Sequence, residues 1–185
     1  MKFTIPNLLS LLRMGLVPLF IIAVLDGESR KALLIFTVAG ITDALDGFIA
    51  RFWNQQSLLG AYLDPIADKI MMTAAYIALA IPSLNHGVQI PAWVTVLVIA
   101  RDLLIVVMVL ILYLAGGVRK FRPTLLSKAT TLFQVVAVVA VLLSSLMSSL
   151  EPVASTLIYI VGVLTVVSGL DYIYRTARMP AQPAE

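Results

Sequence analysis

The sequence predicts an all-α integral membrane protein: a bundle of six transmembrane helices with both termini in the cytoplasm. Three observations predict it. The chain has 185 residues, is 61% hydrophobic and 12% charged, and has a mean hydropathy of +1.01, outside the soluble range. A span needs about 20 mostly apolar residues, so the length accommodates about six helices and no soluble domain. Finally, lysine and arginine segregate. Lys2, Arg51, Arg119, Lys120, Arg122, Arg175 and Arg178 fall on one side of the six spans, and only Arg30 and Lys31 on the other. The positive-inside rule puts the first side in the cytoplasm. The net charge of +3 is therefore a topology signal and not a nucleic-acid signal. With no cysteine, disulfides, zinc thiolates and cysteine nucleophiles are excluded.

The elements follow in order. Residues 1–7 read as an interfacial segment, with Phe3 and Ile5 at the membrane surface and Pro6 breaking the chain before the first span. Span one, Leu8–Leu25, lacks a small-residue cleavage site and reads as retained; Arg13 lies about one turn inside it. Span two, Ala32–Ala50, ends in Asp43 and Asp46. A short polar link, Arg51–Leu58, leads to span three, Leu59–Ile81, which opens with Gly60, Asp64 and Asp68. A loop with Pro82, Asn85, Gly87 and Pro91 precedes span four, Ala92–Leu114, which carries Arg101 and Asp102. The loop Ala115–Thr124 is basic. Span five, Leu125–Met147, has Lys128 in its first turn; Glu151 and Pro152 read as a tight turn; span six is Val153–Tyr174. Residues 176–185 read as a disordered tail. No repeat or second domain is visible, so residues 1–185 form one membrane domain.

The chemistry is concentrated between Asp43 and Asp68. Asp43 and Asp46 stand three apart and share one helix face; Asp64 and Asp68 stand four apart and share another. At about 4 Å and an effective dielectric of ~20, each like-charge pair costs roughly 4 kcal/mol. Four ionised carboxylates in an apolar bundle therefore need cations. Oxygen-only ligation suits Mg²⁺ or Mn²⁺, and two ions can share the four groups. Gly47 and Ala50 keep a strip beside the acids free of bulky side chains, and Gly60 continues it on the facing helix, so a base or ribose can approach the backbone. Arg51 ends the motif at the membrane surface, where its planar fork suits a phosphate. The parts describe a metal-bridged diphosphate with a nucleoside packed on small residues. Because the link between spans two and three is cytoplasmic, the site opens toward cytoplasmic substrates and the inner leaflet together.

The spacing D-x-x-D-G-x-x-A-R, eight residues, then G-x-x-x-D-x-x-x-D resembles the signature of the CDP-alcohol phosphotransferase family at all eight fixed positions. IPNLLSLLR near the start, IARD in span four and RPTLLSKATTLFQ into span five resemble its phosphatidylglycerophosphate synthase and cardiolipin synthase branch, so the likeness covers nearly the whole chain. The resemblance implies a homodimer of six-helix subunits in the inner (cytoplasmic) membrane. It implies transfer of a phosphatidyl group from CDP-diacylglycerol to an alcohol, with release of CMP. Carried over by position, Asp43, Asp46, Asp64 and Asp68 are metal ligands, and Asp68 is also the general base. Gly47, Arg51 and Ser57 bind the donor, with Asn7 and Ser10 as additions from span one. Glycerol-3-phosphate is the first choice of acceptor and phosphatidylglycerol, giving cardiolipin, the second; inositol phosphate and serine rank below both. A phospholipase-D-type cardiolipin synthase is excluded, since its paired His-x-Lys motifs need more than the single histidine, His86.

The remaining charges carry two readings each. Arg101 is either a structural partner of an acid or a contact for an acceptor phosphate, with Lys128 beside it and Arg119 and Arg122 at the rim. Arg119, Lys120 and Arg122 also read as topology charges. Arg13 and Asp102 also read as structural, since a buried arginine often just pairs with an acid or a helix end. Lys69 points about 100° away from Asp68 and reads as a snorkelling charge. Trp53 and Trp93 read as interfacial belt residues, and His86 as a solvated loop residue. A different class of protein, a small carboxylate-lined cation transporter, shares the intramembrane acids but has no use for the glycines and Arg51.

Overall fold

The computed structural model describes residues 5–52, 58–82, 87–114 and 124–177, and within them the side chains of 8–45, 66–82, 87–108 and 124–175. The described residues are all-helical, with no strand. In chain order the helices are α1 (Ile5–Leu25), α2 (Ser29–Phe52), α3 (Leu58–Ala80), α4 (Ala92–Leu114), α5 (Leu125–Ser144) and α6 (Glu151–Ala177), with a 3-10 turn at Ser148–Leu150. Among the described residues three stretches are long and apolar enough to cross a membrane by length and composition, Leu8–Leu25, Leu125–Ser144 and Ser148–Arg175, and they mark a membrane protein.

The bounds lie within a few residues of the apolar stretches: α2 starts earlier, at Ser29, and runs through Arg51 and Phe52 of the expected link, α5 ends earlier, at Ser144, and α6 runs to Ala177, into the expected disordered tail. Two prolines also behave differently from expectation. Pro6 does not break the chain ahead of the first span: α1 already begins at Ile5, so part of the expected interfacial segment is helical. Glu151 and Pro152 do not form a turn but open α6. A proline in the first turn costs little, because the N–H it lacks would have had no partner there.

The ends are capped in specific ways. Gly27 adopts φ 71°, a left-handed conformation that favours glycine. Its N–H donates to the Val24 carbonyl at 3.0 Å and the Glu28 N–H to that of Ala23 at 2.9 Å, which closes α1 in a Schellman motif and turns the chain into α2. At the start of α5 the Thr124 hydroxyl accepts the Ser127 N–H at 3.1 Å, an N-cap that sets the register of that helix.

Helix α1 packs along both α2 and α3, α5 along α6, and α4 mainly on α6; α2 and α3 meet α5 across the middle. The buried set mixes alanines (Ala23, Ala32, Ala39, Ala75, Ala78, Ala137, Ala140, Ala154) with Phe20, Phe36, Tyr76, Leu79, Val138 and Val161. Small residues let apolar helices approach closely where no hydrophobic force separates protein from lipid. Phe20 and Phe36 stack tilted at 5.8 Å between α1 and α2. Leu34, Val96, Leu103, Leu132, Val163 and Leu170 stay exposed, an apolar exterior suited to lipid.

Candidate active site

Asp43 lies nine residues before the end of α2, and Asp68 ten residues after the start of α3. At 1.5 Å per residue each is roughly 14 Å from its helix end, and the two acids line one recess. Arg13 comes from α1, which packs on both helices. Its Nη1 meets the Asp43 carboxylate at 2.9 Å and also bonds the Asp68 carboxylate. The Arg13 side chain is 2% exposed and those of Asp43 and Asp68 are 46% and 44% exposed, so the arginine lies beneath two acids that face an opening. A charge in an apolar bundle is expensive unless paired, which accounts for the placement.

A cavity of about 130 Å³ adjoins the three groups, lined by Phe36, Met71 and Met72 and, from α5, by Thr131 and Val135. Gly40, one turn before Asp43, faces open space: a Cβ there would meet nothing within 4 Å. Ser10, a turn before Arg13, is fully buried. A larger apolar groove of about 490 Å³ runs along α1 and α3, lined by Val17, Ile21, Leu25, Ile70 and Ile77, with Lys69 its only charged residue among the described ones.

Lys69 does not snorkel. It pairs with Asp102 of α4, which also accepts from Arg101 Nη1 at 2.8 Å. Arg101 Nη2 donates to the Ser127 hydroxyl of α5 at 2.7 Å and the Ser168 hydroxyl of α6 at 2.9 Å. One cluster thus ties α3, α4, α5 and α6 together. The Arg101 Nε is buried without a partner among the described residues. Lys128 is exposed in the first turn of α5.

Of the residues expected to form the site, the structure brings Asp43 and Asp68 together. Asp46, Gly47, Ala50, Arg51, Gly60 and Asp64 lie on the described helices α2 and α3, and Asn7 on α1, but their side chains are outside the described set. Ser57, Arg119 and Arg122 lie outside the described residues, as do Trp53 and His86. Arg13 and Lys69 are the residues whose partners sequence reasoning missed. A signal for the first was present: an arginine in an apolar span needs an acid, and the following span supplies one.

The donor set fits a hard dication. Asp43 and Asp68 offer only carboxylate oxygens, they arrive from two helices, and they already gather on a cation. Among the described residues no three of His, Cys, Asp or Glu come together; Asp46 and Asp64 are the sequence's further candidates.

These features define a class: a helical membrane protein with an acid-lined recess formed where two helices meet a third. The chain matches the family model for CDP-alcohol phosphatidyltransferase over residues 3–167, and it belongs to that family. It is 34% identical to CDP-diacylglycerol–glycerol-3-phosphate 3-phosphatidyltransferase of Haemophilus influenzae, covering 94% of this chain and 93% of that one. It is 32% identical to cardiolipin synthase (CMP-forming) of Rattus norvegicus and 31% identical to that of Homo sapiens, covering 97% of this chain in each case. The chain spans 63% and 64% of the length of those two relatives.

Proposed function

We propose that the protein transfers the phosphatidyl group of CDP-diacylglycerol to an alcohol and releases CMP, with glycerol-3-phosphate as the acceptor. The observation that carries the reading is the meeting of Asp43 and Asp68 at Arg13, within a chain that has all eight signature positions. The similarity to the Haemophilus influenzae enzyme along nearly all of both chains favours glycerol-3-phosphate. The cardiolipin synthases keep phosphatidylglycerol as the second acceptor.

Asp43, Asp46, Asp64 and Asp68 would hold two divalent cations, Mg²⁺ or Mn²⁺, which when bound neutralise charge on the phosphoryl oxygens and the departing nucleotide. The chain's own groups do the rest. Asp68 takes the proton of the acceptor hydroxyl. That oxygen bonds to the phosphorus bearing diacylglycerol, the bond from this phosphorus to the bridging oxygen breaks, and CMP leaves with the electron pair. Gly47, Ala50 and Gly60 leave room for the cytidine, Arg51 and Ser57 hold donor phosphate, and Asn7 and Ser10 border it from α1. The apolar groove along α1 and α3, which reaches Lys69, offers the donor's acyl chains a surface. On the acceptor side stand Arg101, Lys128, Arg119 and Arg122; the unpartnered Arg101 Nε is a buried donor that an acceptor phosphate would satisfy.

The finer reading is six spans with both termini cytoplasmic, in the inner membrane, as one domain over residues 1–185 working as a homodimer; the long apolar helices support its membrane part. An Asn85→Cys variant should react with an impermeant thiol reagent from outside and a Gln55→Cys variant should not; the reverse pattern sinks the orientation. The function is tested by an acceptor panel with purified protein, CDP-diacylglycerol and Mg²⁺. CMP release with glycerol-3-phosphate is expected. Release with phosphatidylglycerol alone makes the enzyme a cardiolipin synthase, and none with any acceptor overturns the reading.

A further inference from the structure

We propose that Arg13 is a resident counter-cation of the carboxylate recess, one that an incoming divalent cation must compete with for Asp43 and Asp68. The inference rests on the metal reading above and adds to it a determinant of metal affinity. Three features carry it. The same nitrogen, Nη1, contacts both acids, so Arg13 occupies the spot between them where a bridging cation has its strongest attraction. The arginine is buried while both carboxylates are nearly half exposed, so the acids keep one side facing the opening and the other facing the guanidinium. Finally, α1 packs on both α2 and α3, so Arg13 is held on a rigid element and its charge stays near the acids whether or not a dication has entered.

Two opposite effects follow from one contact. Without metal, Arg13 offsets the repulsion between Asp43 and Asp68 and holds the two helices in register. With metal, the guanidinium repels the dication and shares its ligands. Removing the charge should therefore weaken the metal-free protein and tighten metal binding. A merely structural arginine predicts the contrary for affinity, because a loosened recess binds metal less well.

The test is Mn²⁺ binding to purified full-length protein in detergent, without nucleotide or lipid substrate, read by electron paramagnetic resonance of the free ion. Thermal unfolding is measured in EDTA and in Mn²⁺. Arg13→Gln should bind Mn²⁺ about tenfold more tightly than wild type or better, melt lower in EDTA, and gain more from Mn²⁺ than wild type does. Arg13→Lys keeps the charge on a shorter side chain, and its affinity should rise by less, about threefold. Wild-type or weaker affinity in folded Arg13→Gln overturns the inference. If Arg13→Gln folds neither with nor without Mn²⁺, Arg13→Lys decides on the same criterion. Wild-type protein that binds no Mn²⁺ would sink the metal reading itself, whereas wild-type binding with unchanged variants sinks only the role of Arg13.

Discussion

Arg13 and Arg101 are both buried arginines on apolar helices, yet among the described residues the groups around them carry opposite residual charge. Within that set Arg13 faces two acids, Asp43 and Asp68, leaving one negative charge in excess. Around Asp102 the count is reversed: Lys69 and Arg101 face a single acid, leaving one positive charge in excess, with the hydroxyls of Ser127 and Ser168 as neutral partners. Lys69 follows Asp68 directly, so the two clusters join end to end on α3. The difference teaches how an apolar bundle can prepare for two kinds of ligand. An acid-rich recess attracts cations and the diphosphate they carry; a base-rich neighbour attracts an anion, such as the phosphate of a small acceptor. The first cluster joins three helices through Arg13 and is open on one side. The second is stapled across four helices.

The comparison breaks most completely if the acid-rich cluster loses its charge. EDTA should abolish CMP release and Mg²⁺ or Mn²⁺ should restore it; full activity in metal-free protein would remove the reason for the acids. Asp43→Asn, Asp46→Asn and Asp64→Asn should each lose most turnover, since a neutral amide cannot oppose a dication.

Arg101→Ala sharpens the other half. It removes the shared partner of Ser127, Ser168 and Asp102 and should cost about 3 kcal/mol of stability, the low end for a broken buried pair because Lys69 stays with Asp102. It should also lower kcat/KM for glycerol-3-phosphate roughly 10- to 150-fold, with donor KM nearly unchanged. Lys128→Ala, at an exposed position, should lower acceptor kcat/KM by roughly tenfold without a change in melting temperature. A stability loss in Arg101→Ala with unaltered acceptor kinetics makes its cluster a staple alone.

The smallest effect belongs to a contact outside both clusters. A Cβ at Gly162 would come within 2.9 Å of the Trp93 ring, which is about half exposed and stacks on Tyr159 at 6.2 Å. Gly162→Ala should shift the ring at a cost of about 1 kcal/mol and leave turnover unchanged. A change in acceptor or donor kinetics would show that the α4–α6 contact reaches the site.

Much of this was legible in the sequence. Helix positions follow from hydropathy, because lipid demands about 20 apolar residues wherever the chain crosses. That acids of α2 and α3 meet was legible, because helical spacing puts them on faces that an apolar bundle must gather, and the structure shows it for Asp43 and Asp68. Pro6 and Pro152 misled, since proline breaks a helix only where an N–H is needed. Partners between distant helices were not legible. The direction of Lys69 on α3 follows from its position after Asp68, but only the fold shows that Asp102 of α4 lies there. In the same way, the sequence calls for an acid near Arg13 without naming Asp43 and Asp68, which stand 30 and 55 residues away. The hydroxyls of Ser127 and Ser168 carry no sequence signal at all until the helices that bear them are packed.

The central claim is that the acids gathered on Arg13 perform the transfer, and Asp68→Asn tests it most directly. CDP-diacylglycerol binding and CMP release are measured side by side in Mg²⁺ with glycerol-3-phosphate, against wild type. The account predicts that donor binding remains detectable while turnover falls by about 10²- to 10⁴-fold, the usual worth of a general base. Near wild-type turnover would contradict it and place the base elsewhere.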